Sequence, residues 1–116
     1  MFVILFKSRL SEHAGADYYA TEDRMRERVR EIAGTDLVEV KHYTGEDGDR
    51  LAVVMWENAG TLEEWRTDPE HQVAQKLGRD RWYSAYELTV AEVVRTSSHE
   101  TGPVAAEAGE PDGKPR

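Results

Sequence analysis

The sequence predicts an α+β protein of the ferredoxin-like class, with the element order β-α-β-β-α-β and one four-stranded antiparallel sheet. Four stretches are apolar on one or both alternating faces, as is typical of strands, and two amphipathic stretches have the 3.6-residue period of helices. With 116 residues, the chain is long enough for one domain with one hydrophobic core.

The first half of the chain contains two strands and a long helix. Residues 1–9 are predicted to form a buried strand, because apolar side chains occupy both alternating faces. A helix is predicted over residues 16–33, with Tyr18 on its apolar face, and Gly34 is a suitable stop. The second strand, residues 36–44, is the most polar, so we expect it near an edge of the sheet.

The second half begins with a hairpin and ends with the last strand. Residues 45–48 have the composition of a hairpin turn, and residues 50–57 form a strand that is apolar on both faces. Thr61, with a glutamate three positions later, predicts a capping box and the start of a short helix. The last strand is predicted over residues 84–96.

The composition changes after residue 96, which divides the chain into a folded domain, residues 1–96, and a flexible C-terminal tail, residues 97–116. The tail is rich in glycine, proline, alanine and glutamate, and Val104 is its one large apolar residue. Such a segment buries too little apolar surface to offset the entropy lost on ordering.

The composition also argues against several classes of protein. The net charge of −8 disfavours nucleic-acid binding, which normally requires a basic surface. The sequence contains no run of about 18 apolar residues, so no membrane span is predicted. The short N-terminal apolar run has no positive charge before it, so we expect a strand rather than a signal peptide, and a cytoplasmic protein. Cysteine is absent, which removes disulfides and thiolate catalysis.

A helix beginning near residue 68 is the most informative element. Asp68 can cap its N-terminus, and Pro69 fits its first position. If this helix runs unbroken to Trp82, one of its faces carries Val73 and Leu77 and points to the core.

A second face of the same helix brings together side chains of mixed chemistry. Within roughly 60° of one another on the helical wheel lie His71, Gln75, Gly78 and Trp82. An imidazole, an amide, an open space and an indole are typical of a pocket wall. The alternative is that Trp82 belongs to the core while His71 and Gln75 contact solvent.

The sheet itself predicts self-association. Strands one, three and four are expected to be apolar on both faces, whereas the helices cover only one face. An apolar sheet left exposed would associate, and the sheet of a second subunit is the simplest cover. We therefore expect a homodimer in which two sheets form a dimeric α+β barrel.

Three segments carry a family resemblance: FVILFKSRL, VVMWENAGTLEEWR and DPEHQVAQKLGRDRWYSAYELTVAEVVR. Through them the chain resembles the antibiotic biosynthesis monooxygenase superfamily, from Met1 to about Arg95. The spaced string EH..AQ..GR..WY..Y is the most specific part and is similar to one group of small bacterial proteins in this superfamily. Its members include enzymes that oxidise polycyclic phenols with dioxygen, heme-degrading monooxygenases and proteins of unknown activity, so the fold does not fix the function.

The phenol-oxidising members imply an oxygenase that uses no cofactor or metal and binds a small aromatic or polyketide-like molecule between sheet and helices. Such chemistry needs aromatic walls, a proton acceptor and exclusion of water. Histidine accepts protons near neutral pH, which makes His71 the candidate base, with Trp82 beside it as the second catalytic candidate. The candidate ligand contacts are Trp56, Trp65, Tyr86, Tyr18, Gln75, Asn58, Arg79 and Tyr83.

Two other functions stay open. A dimer of this kind could bind a small molecule in the same pocket without catalysis. Heme-degrading members carry an asparagine, a tryptophan and a histidine, and the resemblance places these on Ser8, Trp65 and Gln75. Two of these three positions, Ser8 and Gln75, do not carry the residue type of the heme-degrading members, so heme is disfavoured. His71 lies one helical turn before Gln75 and could replace the missing histidine ligand.

Overall fold

The structure is a computed structural model that describes residues 1–101, and in these residues one four-stranded antiparallel sheet lies against three α-helices. The elements in chain order are β1 Phe2–Leu10, α1 Ala16–Ala33, β2 Leu37–Thr44, β3 Arg50–Trp56, α2 Ala59–Arg66, α3 Pro69–Leu77 and β4 Tyr83–Glu92. A short 3-10 turn joins α1 to β2, and a π-helical turn, Gly78–Trp82, joins α3 to β4. This order confirms the ferredoxin-like class.

The strand order in the sheet is β2-β3-β1-β4, and β2 is an edge strand, as its polar sequence predicted. The central strand β1 pairs with β3 on one side and with β4 on the other, so that Ile4 lies opposite both Val54 and Val90. Directly opposed residues of antiparallel strands point to the same side of a sheet. Apart from register shifts at Arg9/Leu10 and at Leu37/Glu39, the register therefore assigns the strand residues to one of two faces.

The helices pack on the face that contains Trp56 and Arg50. Trp56 is fully buried, and its Nε1 donates to Thr61 Oγ1 in α2 at 2.9 Å. At the other end of β3, Arg50 Nη1 donates to the hydroxyl of Tyr18 in α1 at 2.9 Å. Ser8, which lies opposite Arg50, is buried on this face as well.

The second face of the sheet carries Val3 and Leu5 from β1 and Leu51, Val53 and Met55 from β3, all half-buried in the single chain. Apolar side chains on both faces of β1 and β3 are as predicted. The prediction is wrong for β4, whose second face has Glu87, Thr89 and Ala91 opposite the residues of β1. The dimeric barrel stays a prediction, because one chain is described.

The capping box predicted at Thr61 is wrong, since the N-cap of α2 lies three residues earlier. Asn58 is the N-cap, and its side chain accepts from the Gly60 N–H at 2.6 Å. The Thr61 hydroxyl is instead turned toward the core, where it accepts from Trp56 and donates to Asp36 Oδ2 at 2.8 Å. Both Asn58 and Thr61 are good caps by residue type, and the tertiary contact decides between them.

The start of α3 is as predicted, whereas its apolar face is not. Asp68 caps the helix by accepting from the His71 N–H, and Pro69 occupies the first position. Val73, which was expected in the core, is 61% exposed. The reason is that a groove of about 370 Å³ stays open between α1 and α3, and Val73 and Leu77 line it.

Among the helices of the described part of the chain, none has both the length and the apolar character needed to cross a membrane. Of the predicted tail, residues 97–101 are described and contain no helix or strand, and the remainder lies outside the described residues.

Candidate functional site

The π-helical turn after α3 divides the predicted pocket wall in two. The α-helix ends at Leu77, and the Tyr83 N–H then donates to Gly78 O, a bond between residues five apart. This wider turn breaks the 3.6-residue period on which the common face of His71 and Trp82 depended. The expectation that Trp82 lies beside His71 is therefore wrong, because each ring packs against a different partner.

His71 stacks face to face on Trp65, and we call these two residues the stack. Their ring centroids are 3.7 Å apart and the planes differ by 12°. Trp65 projects from α2, and His71 comes from the first turn of α3, which is fixed by the Asp68 cap. The short turn between α2 and α3 therefore brings the two rings together.

The hydrogen bond of the His71 ring fixes its protonation. Nδ1 lies 2.9 Å from Trp65 O, and a carbonyl oxygen only accepts, so Nδ1 carries the hydrogen. Nε2 then keeps its lone pair. Burial lowers the pKa of His71 from 6.5, and the Trp65 carbonyl and the Asp68 charge oppose this shift. The imidazole is thus a neutral base near neutral pH, and its Nε2 has no hydrogen-bond partner in the part of the chain that the structure describes.

The indole of Trp65 is half-buried, and no acceptor for its Nε1 occurs within residues 1–101. The other two tryptophans have one: Trp56 donates to Thr61, and Trp82 donates to Asp17 Oδ2 at 3.2 Å. The stack is therefore the place where an indole N–H and an imidazole nitrogen are both free to contact a ligand.

Trp82 belongs to a second group of rings, which we call the aromatic cluster: Phe6, Tyr18, Trp82, Tyr83 and Tyr86. Tyr18 is its centre, with centroid distances of 5.5 Å to Trp82 and 6.0 Å to Tyr83. Tyr83 in turn makes an edge-to-face contact with Phe6 at 5.3 Å. Such edge-to-face pairs stabilise a packed core beyond their buried area.

The polar atoms at the centre of this cluster already have partners. The Tyr18 hydroxyl donates to Glu22 Oε2 at 2.5 Å and accepts from Arg50 at 2.9 Å. Burial raises the pKa of Tyr18 well above its ordinary value and raises that of Tyr83 as well. Both phenols therefore stay neutral at physiological pH, and neither is poised to accept a proton.

The sequence reasoning missed Arg50 and Glu22. The i, i+4 spacing of Tyr18 and Glu22 was a local signal for a bond along one helix face. Arg50 lies 32 positions from Tyr18, and its contact depends on the packing of α1 on β3. No local pattern reports such a contact.

Gly78 does not leave an open space in a pocket wall. The ring of Tyr83 fills the position, because a Cβ added at Gly78 would lie 2.6 Å from Tyr83 Cε2. The backbone of Gly78 is in the ordinary helical region, so this glycine is required for a close approach and not for its conformation.

The other candidate residues are spread over the domain. Trp56 is a core residue, and the Asn58 side chain is used as a helix cap. Gln75 is half-buried on α3, Arg79 is exposed in the π-helical turn, and Tyr86 is 47% exposed at the margin of the aromatic cluster. The structure thus brings the candidates together as two groups, with Tyr86 in the cluster, and leaves four apart: Trp56, Asn58, Gln75 and Arg79.

The residues that could hold a group other than an aromatic molecule are few. Within residues 1–101, no three His, Asp or Glu side chains are arranged to hold a metal ion. Of the positions that heme-degrading members imply, Ser8 is buried in the sheet and Gln75 is half-buried. Within residues 1–101, His71 Nε2 has no hydrogen-bond partner. The pocket expected between sheet and helices stays a prediction.

Comparison with known proteins identifies a relative. No family model matches the chain. The uncharacterized protein YqjZ of Bacillus subtilis (strain 168) is 31% identical over 94 residues, which are 81% of this chain and 80% of YqjZ.

Solved structures share the fold at low sequence identity. A Deinococcus radiodurans protein provisionally assigned as an antibiotic biosynthesis monooxygenase has a TM-score of 0.69 and 13% identity, over 86% of this chain and 99% of its own. Rv0793 of Mycobacterium tuberculosis has a TM-score of 0.66 and 16% identity, over 84% and 98%. SnoaB of Streptomyces nogalater, a cofactor-independent oxygenase, has a TM-score of 0.58 and 12% identity, over 82% and 94%. The chain belongs to the family of YqjZ and has the ferredoxin-like fold of the antibiotic biosynthesis monooxygenase superfamily.

Proposed function

We propose that this protein is a cofactor-independent oxygenase that oxidises an aromatic or polyketide-like phenol with dioxygen, and that His71 is its base. The observation that carries the proposal is the state of the His71 imidazole. It is neutral, its Nδ1–H is held by the Trp65 carbonyl, and Nε2 is free beside an indole face.

The proposed chemistry uses each part of the stack. Nε2 accepts the proton of the phenol, and the electrons of the resulting anion reduce dioxygen directly. One oxygen atom enters the ring as a carbonyl, and the other leaves as water. The Trp65 indole supplies a flat apolar wall and a free N–H at its edge. A SnoaB-like activity is consistent with the shared fold, which by itself fixes no substrate.

The proposal includes a homodimer formed through the second face of the sheet. That face carries a central apolar strip from β1 and β3, including Val3, Leu5 and Val53, and the edge strand β2 adds Glu39 and Lys41. An apolar centre with a polar rim is the usual composition of a dimer interface. Sedimentation at micromolar concentration is expected to give about twice the 13.2 kDa mass of the chain. A stable monomer would remove the dimer from the proposal.

Oxygen uptake tests the proposed reaction. The wild-type protein is incubated with a panel of polycyclic phenols and anthrones, and oxygen consumption is followed with an electrode. His71→Gln keeps a planar amide against Trp65 but has no basic nitrogen, so the rate is expected to fall on the order of 10²–10⁴-fold. His13→Ala is the matched control, because His13 is an exposed histidine remote from the stack in sequence.

The outcomes separate two functions. No oxygen uptake with any phenol, beside a rise in melting temperature with one of them, would replace the oxygenase with a non-catalytic binding dimer. Uptake that is equal in the wild-type and His71→Gln proteins would remove His71 as the base.

Heme degradation is the second candidate, because the free His71 Nε2 also suits an iron ligand. Metal-binding histidines usually donate their other ring N–H to a carbonyl or carboxylate, as His71 does to Trp65. Titration with heme, followed by absorbance, distinguishes the two functions. Tight binding that is lost in His71→Ala would favour the heme reading, and the proposed oxygenase predicts weak binding that His71→Ala leaves unchanged.

A further inference from the structure

We propose that Arg28 and Asp68 form a positioning pair that holds His71 against Trp65 in its neutral, Nδ1–H form. The inference rests on the proposed function, since it assigns the pair to the same base. The hydrogen bond from this pair to His71 goes to its backbone N–H, so the pair acts through the backbone and through the charge around the ring.

The pair joins two helices at the first turn of α3. The Asp68 side chain is only 4% exposed, and its Oδ1 accepts from Arg28 Nη2 at 2.8 Å. Its Oδ2 accepts from the His71 N–H at 3.0 Å and lies 3.4 Å from Arg28 Nε. One carboxylate thus caps α3, fixes the backbone of His71 and receives a two-nitrogen contact from α1.

A second pair reinforces the same junction. Arg24 donates to Glu70 through Nε at 2.5 Å and through Nη2 at 3.1 Å. Arg28 also donates to Glu31 at 3.1 Å. The charges around the first turn of α3 are therefore Asp68 and Glu70 from the turn itself, and Arg24, Arg28 and Glu31 from α1. From α2, His71 is contacted by the uncharged carbonyl and the stacked ring of Trp65.

The signs of these charges explain why a pair is needed. An isolated carboxylate at Asp68 would attract a proton to His71 and work against the effect of burial on its pKa. Arg28 offsets that charge while leaving the cap in place, and it lowers the pKa of Asp68 so that the carboxylate stays ionised. Helix capping and a neutral imidazole are thereby compatible at one site.

Two substitutions are expected to move the His71 pKa in opposite directions. Arg28→Gln leaves the Asp68 charge without its counter-charge, so the pKa of His71 should rise by about 0.5 pH unit. Asp68→Asn removes the negative charge but keeps an oxygen that can cap α3, so the pKa of His71 should fall by about 0.5 pH unit. Both values are measured by nitrogen-15 NMR titration of the His71 ring without substrate, which also reports the tautomer.

Matched variants separate positioning from general stability. Arg30→Gln removes another arginine of α1 and should leave the His71 titration unchanged. Arg28→Lys keeps the positive charge but loses the planar guanidinium that donates from two nitrogens. It should therefore preserve the pKa of His71 and weaken the preference of the ring for the Nδ1–H tautomer. This variant replaces Arg28→Gln if Arg28→Gln does not fold. Each variant is also melted to record its stability.

If the Arg28–Asp68 pair serves only stability, Arg28→Gln and Asp68→Asn will lower the melting temperature and leave the pKa and tautomer of His71 unchanged. That result would overturn the inference. Because the titration needs no turnover, it stands apart from the oxygen-uptake test. Failure of the proposed reaction and failure of the positioning pair would therefore be seen in different measurements.

Discussion

The stack and the aromatic cluster lie at opposite ends of the segment formed by α3 and its π-helical turn, and they differ in what they leave free. In the cluster, the Tyr18 hydroxyl and the Trp82 indole both have partners, and Trp82 is 3% exposed. In the stack, His71 and Trp65 are half-buried, with a free ring nitrogen and a free indole N–H. Both regions contain a tryptophan packed against another ring, so the presence of such a pair does not by itself identify a site.

The difference shows that a core and a binding site can be told apart by whether their polar side-chain atoms have hydrogen-bond partners within the protein. Buried polar groups in a core are paired because an unpaired group costs free energy. A ligand-binding group must keep some capacity unused until the ligand arrives. On this criterion we assign the cluster to the stability of the fold and the stack to the proposed site. The following predictions test that division, from the largest expected effect to the smallest.

Trp82→Ala should cause the largest loss of stability. Removing a fully packed indole from the cluster is expected to lower the free energy of unfolding by about 3–5 kcal/mol. Urea denaturation measures this loss. The control is Trp65→Ala, which should cost clearly less because Trp65 is half-buried. Equal losses at the two tryptophans would mean that both regions are core, and the division would fail.

Gly78→Ala should have the next largest effect, because the new methyl group would lie 2.6 Å from Tyr83 Cε2. Overpacking of this kind costs about 1–3 kcal/mol. In a Tyr83→Ala background the clash is absent, and the same substitution should be neutral or stabilising because alanine favours helix over glycine. A double-mutant cycle by urea denaturation measures the coupling. Absence of coupling would show that the two positions are not in contact.

His71 should give the smallest effect, a dependence of stability on pH. Its pKa is below 6.5 in the folded state, so the unfolded chain binds the proton more readily. The stabilisation is complete above about pH 6.5 and is lost as the pH falls through the lowered pKa. The free energy of unfolding of the wild-type protein, relative to His71→Gln, should therefore decrease from about pH 7.5 to about pH 5. An increase over this range would mean that the folded imidazole is the better proton acceptor.

Local pattern was sufficient for most of the fold. The 3.6-residue period and Gly34 placed α1 at the bounds seen in the structure, and Asp68 with Pro69 marked the start of α3. The π-helical turn was not predicted, because the shared face of His71 and Trp82 assumed a helix that runs unbroken through Gly78. In the structure, the ring of Tyr83 occupies the space beside Gly78.

The candidate site was predicted only in part, because contacts between separate helices leave no local pattern in the sequence. The sequence pointed to His71 and Trp65 separately, but their contact crosses the turn between two helices, and no periodicity describes it. Trp82 was assigned to His71 through an angle on a helical wheel, and a single wider turn was enough to move it to Tyr18. Residue type predicts what a side chain can do, whereas its neighbours depend on the packing of separate elements.

The three tryptophans allow the division between stack and cluster to be tested in one spectrum. Trp65 lies in the stack, Trp82 in the cluster and Trp56 in the core, so each indole N–H signal in a nitrogen-15 correlation spectrum reports one region. Each signal is assigned by a Trp→Phe variant, and a polycyclic phenol is then titrated into the wild-type protein. We predict that the Trp65 signal shifts with saturation while the Trp56 and Trp82 signals stay in place. A saturable shift of Trp82 without one of Trp65 would place the ligand in the aromatic cluster and contradict the proposed site.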